Sequence, residues 1–240
     1  MNKCKNCNSE VNGRYCSNCG QPAELKRIDA NYIKHEIEHV LHFDKGILYT
    51  IKELIIRPGK NVREFFTENR NRLVKPIIFI IVTSLIYTII NHYFNIEEQY
   101  VQQTGLENST VGKMIKWVQD NYGYANILMG IFIALFVKLF FRKFSYNIYE
   151  IIILMCFIMG IAMLILSVFA ILQGLFHIDI FQIGGIIALI YTTFAIADFF
   201  DKTKVKNYFK SLTAYILGMI AFFLTIVIVG LAIDLITKQL

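Results

Sequence analysis

From Pro76 to the end of the chain, long apolar runs alternate with short polar breaks. The runs lie near 76–94, 124–141, 149–172, 179–200 and 212–236, and each is long enough to cross a hydrocarbon core of about 30 Å at about 1.5 Å per residue. Five transmembrane helices are predicted. The second run is the shortest, and Lys138 near its end is expected to reach back to the interface.

Ahead of these runs the period shortens to that of amphipathic helices. Over 29–43, Ile33, Ile37, Val40 and Leu41 cluster on one side, while His35, His39 and His42 fall within about 60° of one another on the opposite side. Apolar periodicity resumes in "ILYTIKELII" and stops at "RPG", Arg57 to Gly59. A further helix is predicted after it, with Asn61 and Glu64 as a capping box and Val62, Phe65 and Phe66 as its apolar edge. Helices of this kind suit a seat on the membrane surface or under a bundle. A soluble helical hairpin is the alternative. The predicted fold is thus an all-α polytopic membrane protein, a five-span bundle (76–240) preceded by amphipathic juxtamembrane helices (25–75) and a cysteine-bearing segment (1–24).

Composition agrees, with 55% hydrophobic residues and three prolines in 240. Residues 1–30 are polar and lack the apolar run of a secretory signal, so the N-terminus is expected to be mature sequence. Residues 1–75 carry 14 Lys and Arg against nine Asp and Glu, while 76–240 carry ten against nine. Arg57, Arg63, Arg70, Arg72 and Lys75 precede the first span and are assigned to anionic headgroups. Arg142 and Lys143 follow the second span, and Lys202, Lys204, Lys206 and Lys210 follow the fourth. The alternate loops are poor in basic residues, so the N-terminus is placed in the cytoplasm and the C-terminus outside. No nucleic-acid partner is expected, because dense Lys/Arg runs and an aromatic-basic stripe are lacking.

Within the spans, Glu150, Asp198 and Asp234 all lie near span ends and are read as interfacial carboxylates rather than an ion path. Gly160, Gly184, Gly185 and Gly218 are read as sites of close helix contact. Cys156 is read as a small apolar residue. In the loop 95–123, Asn108-Ser109-Thr110 is formally a glycosylation acceptor, but it fits better as a polar N-cap opening a helix around Val111 to Val118.

Two stretches carry metal chemistry. "CKNCNSEVNGRYCSNCG" supplies Cys4, Cys7, Cys16 and Cys19 as two C-x-x-C pairs, the spacing with which two tight turns present four thiolates to one tetrahedral zinc ion. Disulfides are disfavoured in a reducing compartment. With four protein ligands the zinc is structural. The second stretch, His35 to His39, matches H-E-x-x-H of zinc proteases. A third ligand and a substrate cleft are needed as well, and three histidines on one straight helix do not surround an ion, so a polar stripe is the preferred reading.

The string "HFDKGILYTIKELIIRPGKNVREFFTENRNRLVKPIIF", after "YCSNCGQ", resembles the bacterial domain-of-unknown-function family 3667. The shared features are a zinc-ribbon start, an F-D-x-G turn (Phe43 to Gly46), the R-P-G stop (Arg57 to Gly59), an R-E-[FY] step (Arg63 to Phe65) and a basic run into the membrane (Arg72, Lys75, Pro76). Thr67-Glu68-Asn69-Arg70 departs from the family pattern, which often has a glycine before the basic pair. The resemblance implies a bacterial inner-membrane protein and no established activity. Three functions are weighed. The first is a non-enzymatic zinc-ribbon module that recruits or senses a cytoplasmic protein partner, or a second copy of itself. The second is a small transporter, channel or lipid-handling protein. The third, more remote, is a metalloprotease.

Overall fold

A computed structural model describes residues 2–4, 7, 9–11, 13, 15–19, 46–70, 72–94, 96 and 109–238. The stretch 29–43, with the histidine stripe and the H-E-x-x-H pattern, lies outside the described residues, as does Asn108. The chain divides into two compact units, Met1–Leu41 and His42–Leu240.

In the first unit, strands β1 (Asn2–Lys3) and β2 (Glu10–Val11) pair antiparallel, with Asn2 opposite Val11 and Lys3 opposite Glu10. The Cys4 amide donates to the Ser9 carbonyl at 2.9 Å and closes the turn between them.

The second unit is helical: α1 (Ile47–Ile56), α2 (Pro58–Thr67), α3 (Pro76–Phe94), α4 (Thr110–Asp120), α5 (Tyr122–Phe140), α6 (Ile148–Phe176), α7 (Phe181–Phe200) and α8 (Val205–Lys238). Among the described residues, helices α3, α5, α6, α7 and α8 are the five long and apolar enough to cross a membrane. Helix α6 is the axis of the bundle. Helices α3, α5 and α7 pack around it, and α8 lies against α5 and α7. The burial gradient follows, since 67% of the most apolar stretch of α6 is buried but only 22% of that of α8. The end carrying α1, α2 and the turns 141–147 and 201–204 is called the neck end below. The far end carries α4 and the turn 177–180.

Helix bounds differ from the hydropathy reading where polar residues stay helical. Helix α8 begins at Val205 rather than 212, because Lys206, Asn207, Lys210 and Ser211 continue its turns, with Asn207 and Ser211 buried. Its 34 residues are about 51 Å long at 1.5 Å per residue, more than a hydrocarbon core, so it projects beyond one. Helix α6 runs on to Phe176 rather than 172 and ends where His177 turns left-handed, at φ 53°. The Gln173 side-chain oxygen then accepts the Ile180 and Phe181 amides at 3.0 and 2.8 Å, capping the start of α7 at 181 rather than 179. Helix α5 starts at Tyr122, two residues early, and ends at Phe140. The Lys138 ammonium reaches the Tyr146 carbonyl at 2.5 Å, so the expected extension toward the interface ends on protein.

The far-end helix forms as the N-cap reading expects. Ser109 accepts the Gly112 amide at 3.0 Å, and α4 follows. The Asp234 carboxylate, read from sequence as merely interfacial, accepts the Thr110 amide at 3.3 Å and the Thr110 hydroxyl. Glu150 completes a capping box with Asn147 at the start of α6.

Helices α1 and α2 are packed on the bundle rather than forming a separate hairpin. Leu54, Val62 and Phe65 share one core with Phe79, Ile133, Leu154, Phe157 and Phe199. Phe65 meets Phe157 edge-on at 5.4 Å, and Phe66 meets Phe199 at 5.9 Å. The predicted Asn61–Glu64 capping box is not what forms. Helix α2 starts four residues earlier because Pro58 takes its first position, where the missing amide costs no hydrogen bond. Asn61 is therefore buried in the second turn, donating to the Glu53 and Arg57 carbonyls at 2.8 and 2.9 Å and binding α1 to α2.

Candidate metal centre and juxtamembrane clamp

Each C-x-x-C pair sits in a turn, the first after β1 and the second after Tyr15. The four sulfurs of Cys4, Cys7, Cys16 and Cys19 all lie within 4.8 Å of one another. Cys4 and Cys19 sulfurs are 3.5 Å apart, Cys7 and Cys19 3.4 Å, and Cys7 and Cys16 3.6 Å. Sulfurs held about 2.3 Å from a tetrahedral ion would be about 3.8 Å apart, so the donor set and its spacing fit one metal ion. A disulfide needs about 2.05 Å, far closer than any of these pairs. The Ser9 hydroxyl, 3.3 Å from Cys7 Sγ, together with the Ser9 backbone and the Cys19 sulfur, lowers the Cys7 thiol to about 6. Among the side chains described in this unit, only Cys4 and Cys16 are buried. A metal would therefore supply the folding energy that an apolar core supplies elsewhere.

The second site joins the R-P-G segment to the neck end of α7. The amides in the first turn of a helix and the carbonyls in its last turn lack intrahelical partners. Here each set finds its complement on the other helix. The Gly59 amide, at the start of α2, donates to Asp198 Oδ2 at 2.9 Å. The Arg63 guanidinium donates to the Asp198 and Phe199 carbonyls, the latter at 2.7 Å, in the last turn of α7. A carboxylate thus faces a positive helix start, and a cation faces a negative helix end. Lys202, one turn beyond Asp198, adds an ammonium 3.5 Å from Oδ1. Asp198 is only 5% exposed, so its sequence reading as an interfacial carboxylate is corrected: it is a buried acceptor that receives α2. The helices meet this closely because residue 59 has no side chain. A Cβ there would lie 2.3 Å from Asp198 C and Phe199 N.

Arg72 ties the same region together from the segment leading into α3. Its guanidinium donates to the Tyr49 hydroxyl at 3.0 Å, to Glu53 at 2.9 Å, and to Glu64. Tyr49 and Glu53 belong to α1 and Glu64 to α2, so one side chain fixes both helices to the first span. Nearby, Thr50 accepts the Val74 amide at 3.1 Å and the Tyr191 hydroxyl donates to the Leu54 carbonyl at 3.1 Å. Arg72→Ala is expected to lower stability by about 2 kcal/mol, since it removes the one cation shared by Glu53 and Glu64 and leaves Glu64 with only the exposed Lys60 ammonium at 3.4 Å. Arg72→Lys is expected to recover less than half, because one ammonium cannot reproduce a planar three-partner fork. Thermal unfolding in detergent measures both. A change for Arg72→Ala within about 0.5 kcal/mol of zero would mean that solvent screens the network.

The structure therefore gathers the four sequence-predicted cysteines and separates the five basic residues into two groups. Arg63 and Arg72 engage protein, whereas Arg57, Arg70 and Lys75 are exposed. Sequence reasoning missed Gly59, Asn61, Asp198 and the Glu53–Glu64–Tyr49 set as partners. The available signals were a glycine directly after a helix-starting proline, and an aspartate beside Phe199-Phe200 at a span end.

Residues 44–88 match the family model described as "Protein of unknown function (DUF3667)". No curated protein and no solved structure matches the chain. The matched residues hold α1, α2 and the first two thirds of α3, and with them Gly59, Asn61, Arg63 and Arg72. The cysteine cluster and Asp198 lie outside the match.

Proposed function

We propose that the protein is a non-enzymatic, membrane-anchored zinc-ribbon module whose metal-held head recruits or senses a cytoplasmic partner. The observation that carries this reading is the clustering of the four cysteine sulfurs within 4.8 Å in a unit whose described residues bury nothing else. Four sulfur ligands favour zinc and leave no open position for substrate, which argues for a recognition surface rather than a reaction centre. The Lys and Arg asymmetry of the loops supports a cytoplasmic head. At the neck end, exposed Arg57, Arg70 and Lys75 lie in sequence near Leu48, Ile55 and Ile56, which α1 leaves exposed. That combination fits anionic headgroups beside an in-plane apolar helix.

Crosslinking in cells followed by affinity capture tests the proposal. Deleting residues 1–24 is expected to remove specific partners while the protein stays in the membrane, and Cys16→Ser in the full chain is expected to remove the same partners. An unchanged partner set in both variants would refute it.

A further inference from the structure

Two apolar cavities lie between the helices of the second unit. One, of about 530 Å³, is bounded by α4, α5, α7 and α8. The other, of about 610 Å³, is bounded by α6, α7 and α8. Each is within the size range of small-molecule sites, and they share Gly185 and Phe223 as lining residues.

Gly185 explains the space. Its companions Gly160, Gly184 and Gly218 accept a neighbour so closely that a Cβ would lie under 3 Å from Phe79, Phe169 or Ile133. Around Gly185 nothing lies within 4 Å of a Cβ position. The sequence reading of a close helix contact therefore holds at three of the four glycines and fails at this one, which is exposed and where the missing side chain leaves an open groove. Ala125, Ala162 and Ala188 line the same two cavities with little more bulk.

The chemistry of the lining limits what can fill it. No charged side chain lines either cavity, so neither an ion nor a phosphate is recognised there. Water needs two to four polar partners to settle in such a space, and most of the lining offers none. Polar groups gather at the α4 end of the first cavity, where Gln119, Asn126 and Gln182 supply neutral amides. Asn126 is 1% exposed and its amide donates to Ser84 Oγ at 3.0 Å, which fixes its position in the wall. Along α8 the second cavity runs from Tyr215 to Val227, about 18 Å at 1.5 Å per residue and comparable to the hydrocarbon depth of one leaflet, about 15 Å.

We propose that these cavities hold the acyl chain of a bilayer lipid, lying along α7 and α8 past Gly185, with its uncharged ester region among Gln119, Asn126 and Gln182. Helix α4 covers that end. It is latched by the Thr110–Asp234 hydrogen bonds, and Val111 fits where Gly230 leaves no room for a Cβ, which would lie 2.7 Å from Val111 Cγ2. The site is independent of the metal-held head.

The test uses the full chain in phospholipid nanodiscs doped with a phosphatidylglycerol that carries a photoactivatable group in its acyl chain. After illumination, peptides covering 181–189 and 215–227 are expected to be labelled well above the outward residues of α3 such as Ile77, Leu85 and Ile89. Gly185→Leu fills open space without a clash and is expected to cut the α7 and α8 labelling about tenfold, the worth of roughly two lost methylene contacts, leaving α3 unchanged. Val227→Phe narrows the second cavity from the opposite helix and is expected to act alike, which guards against misfolding of either variant. Equal labelling of α3 and α7, or no effect of both substitutions, would overturn the proposal by reducing the signal to ordinary surrounding lipid. A free fatty acid carrying the same group is expected to label more weakly, since its carboxylate meets no cation. Stronger labelling by it would overturn the ester assignment.

Discussion

Gly59→Ala is expected to detach α2 from the end of α7 and to destabilise the second unit by about 3 kcal/mol, the upper range for forcing an extra methyl into a packed site. The sign is decided by what the methyl would meet. Alanine is the better helix former by up to about 1 kcal/mol, which alone would predict a gain. At this position, however, the Cβ would lie 2.3 Å from two backbone atoms, Asp198 C and Phe199 N. Backbone in a helical turn cannot rotate aside as a side chain can, so α2 has to retreat. Retreat lengthens the 2.9 Å bond from the Gly59 amide to Asp198 and draws Arg63 away from the carbonyls it caps. It also unpacks Phe65 from Phe157. Thermal unfolding in detergent reads the loss, and amide exchange across 58–67 locates it. Asp198→Ala, which keeps the space but removes the acceptor, is expected to cost about 1–3 kcal/mol by leaving a buried amide unpaired. Combined with Gly59→Ala it should add little, because both break one contact. Full additivity, or a Gly59→Ala protein as stable as wild type, would show that α2 is not seated on α7.

These residues also mark the limit of what the sequence discloses. Hydropathy finds the five spans seen among the described residues, because an apolar stretch of that length has few other stable settings, and the largest slip in the bounds is where Lys206, Asn207, Lys210 and Ser211 continue α8 as a helix. Cysteine spacing predicts the cluster because both turns are local. The clamp is another matter. Gly59 and Asp198 are 139 positions apart, and nothing within either segment encodes their meeting. Arg63 and Arg72 look like headgroup ligands by composition, and only the packed chain shows their guanidinium groups directed to a helix end and to two carboxylates. Asn61 departs from the predicted cap for a local reason. The Asn-x-x-Glu pattern does occur, but Pro58 had already started the helix, which left Asn61 inside it and freed Glu64 to meet Arg72. Gly185 shows the converse, since its sequence matches that of a packing glycine and its surroundings are empty.

The largest effect is expected from removing the metal. The purified protein should carry about one zinc ion per chain, and stripping it with a chelator should unfold residues 1–20, because metal binding in such small cysteine sites is worth on the order of 10 kcal/mol. Among the side chains described in that unit only Cys4 and Cys16 are buried, and its described strands are two residues each, so no comparable term is found among them. Limited proteolysis should then cut within the head. The unfolding transition of α1 to α8 should stay in place, because its core, from Leu54 to Ala214, lies wholly within the second unit. Cys4→Ser and Cys16→Ser should match chelation, as each removes a ligand and one of the two buried groups. The pH dependence has a definite sign. Protons compete with metal for thiolates, so the ion is lost on acidification and retained on moderate alkalisation. Cys7, lowered to about 6 by Ser9, is expected to stay a thiolate to lower pH than an ordinary cysteine, so release should set in only below neutrality. Cobalt in place of zinc offers a direct readout, since thiolate-to-metal charge-transfer bands should appear on loading and fade as pH falls. A chain purified under reducing conditions that holds less than about a tenth of an equivalent of metal, and resists protease with or without chelator, would mean that the head folds by some means other than its sulfurs.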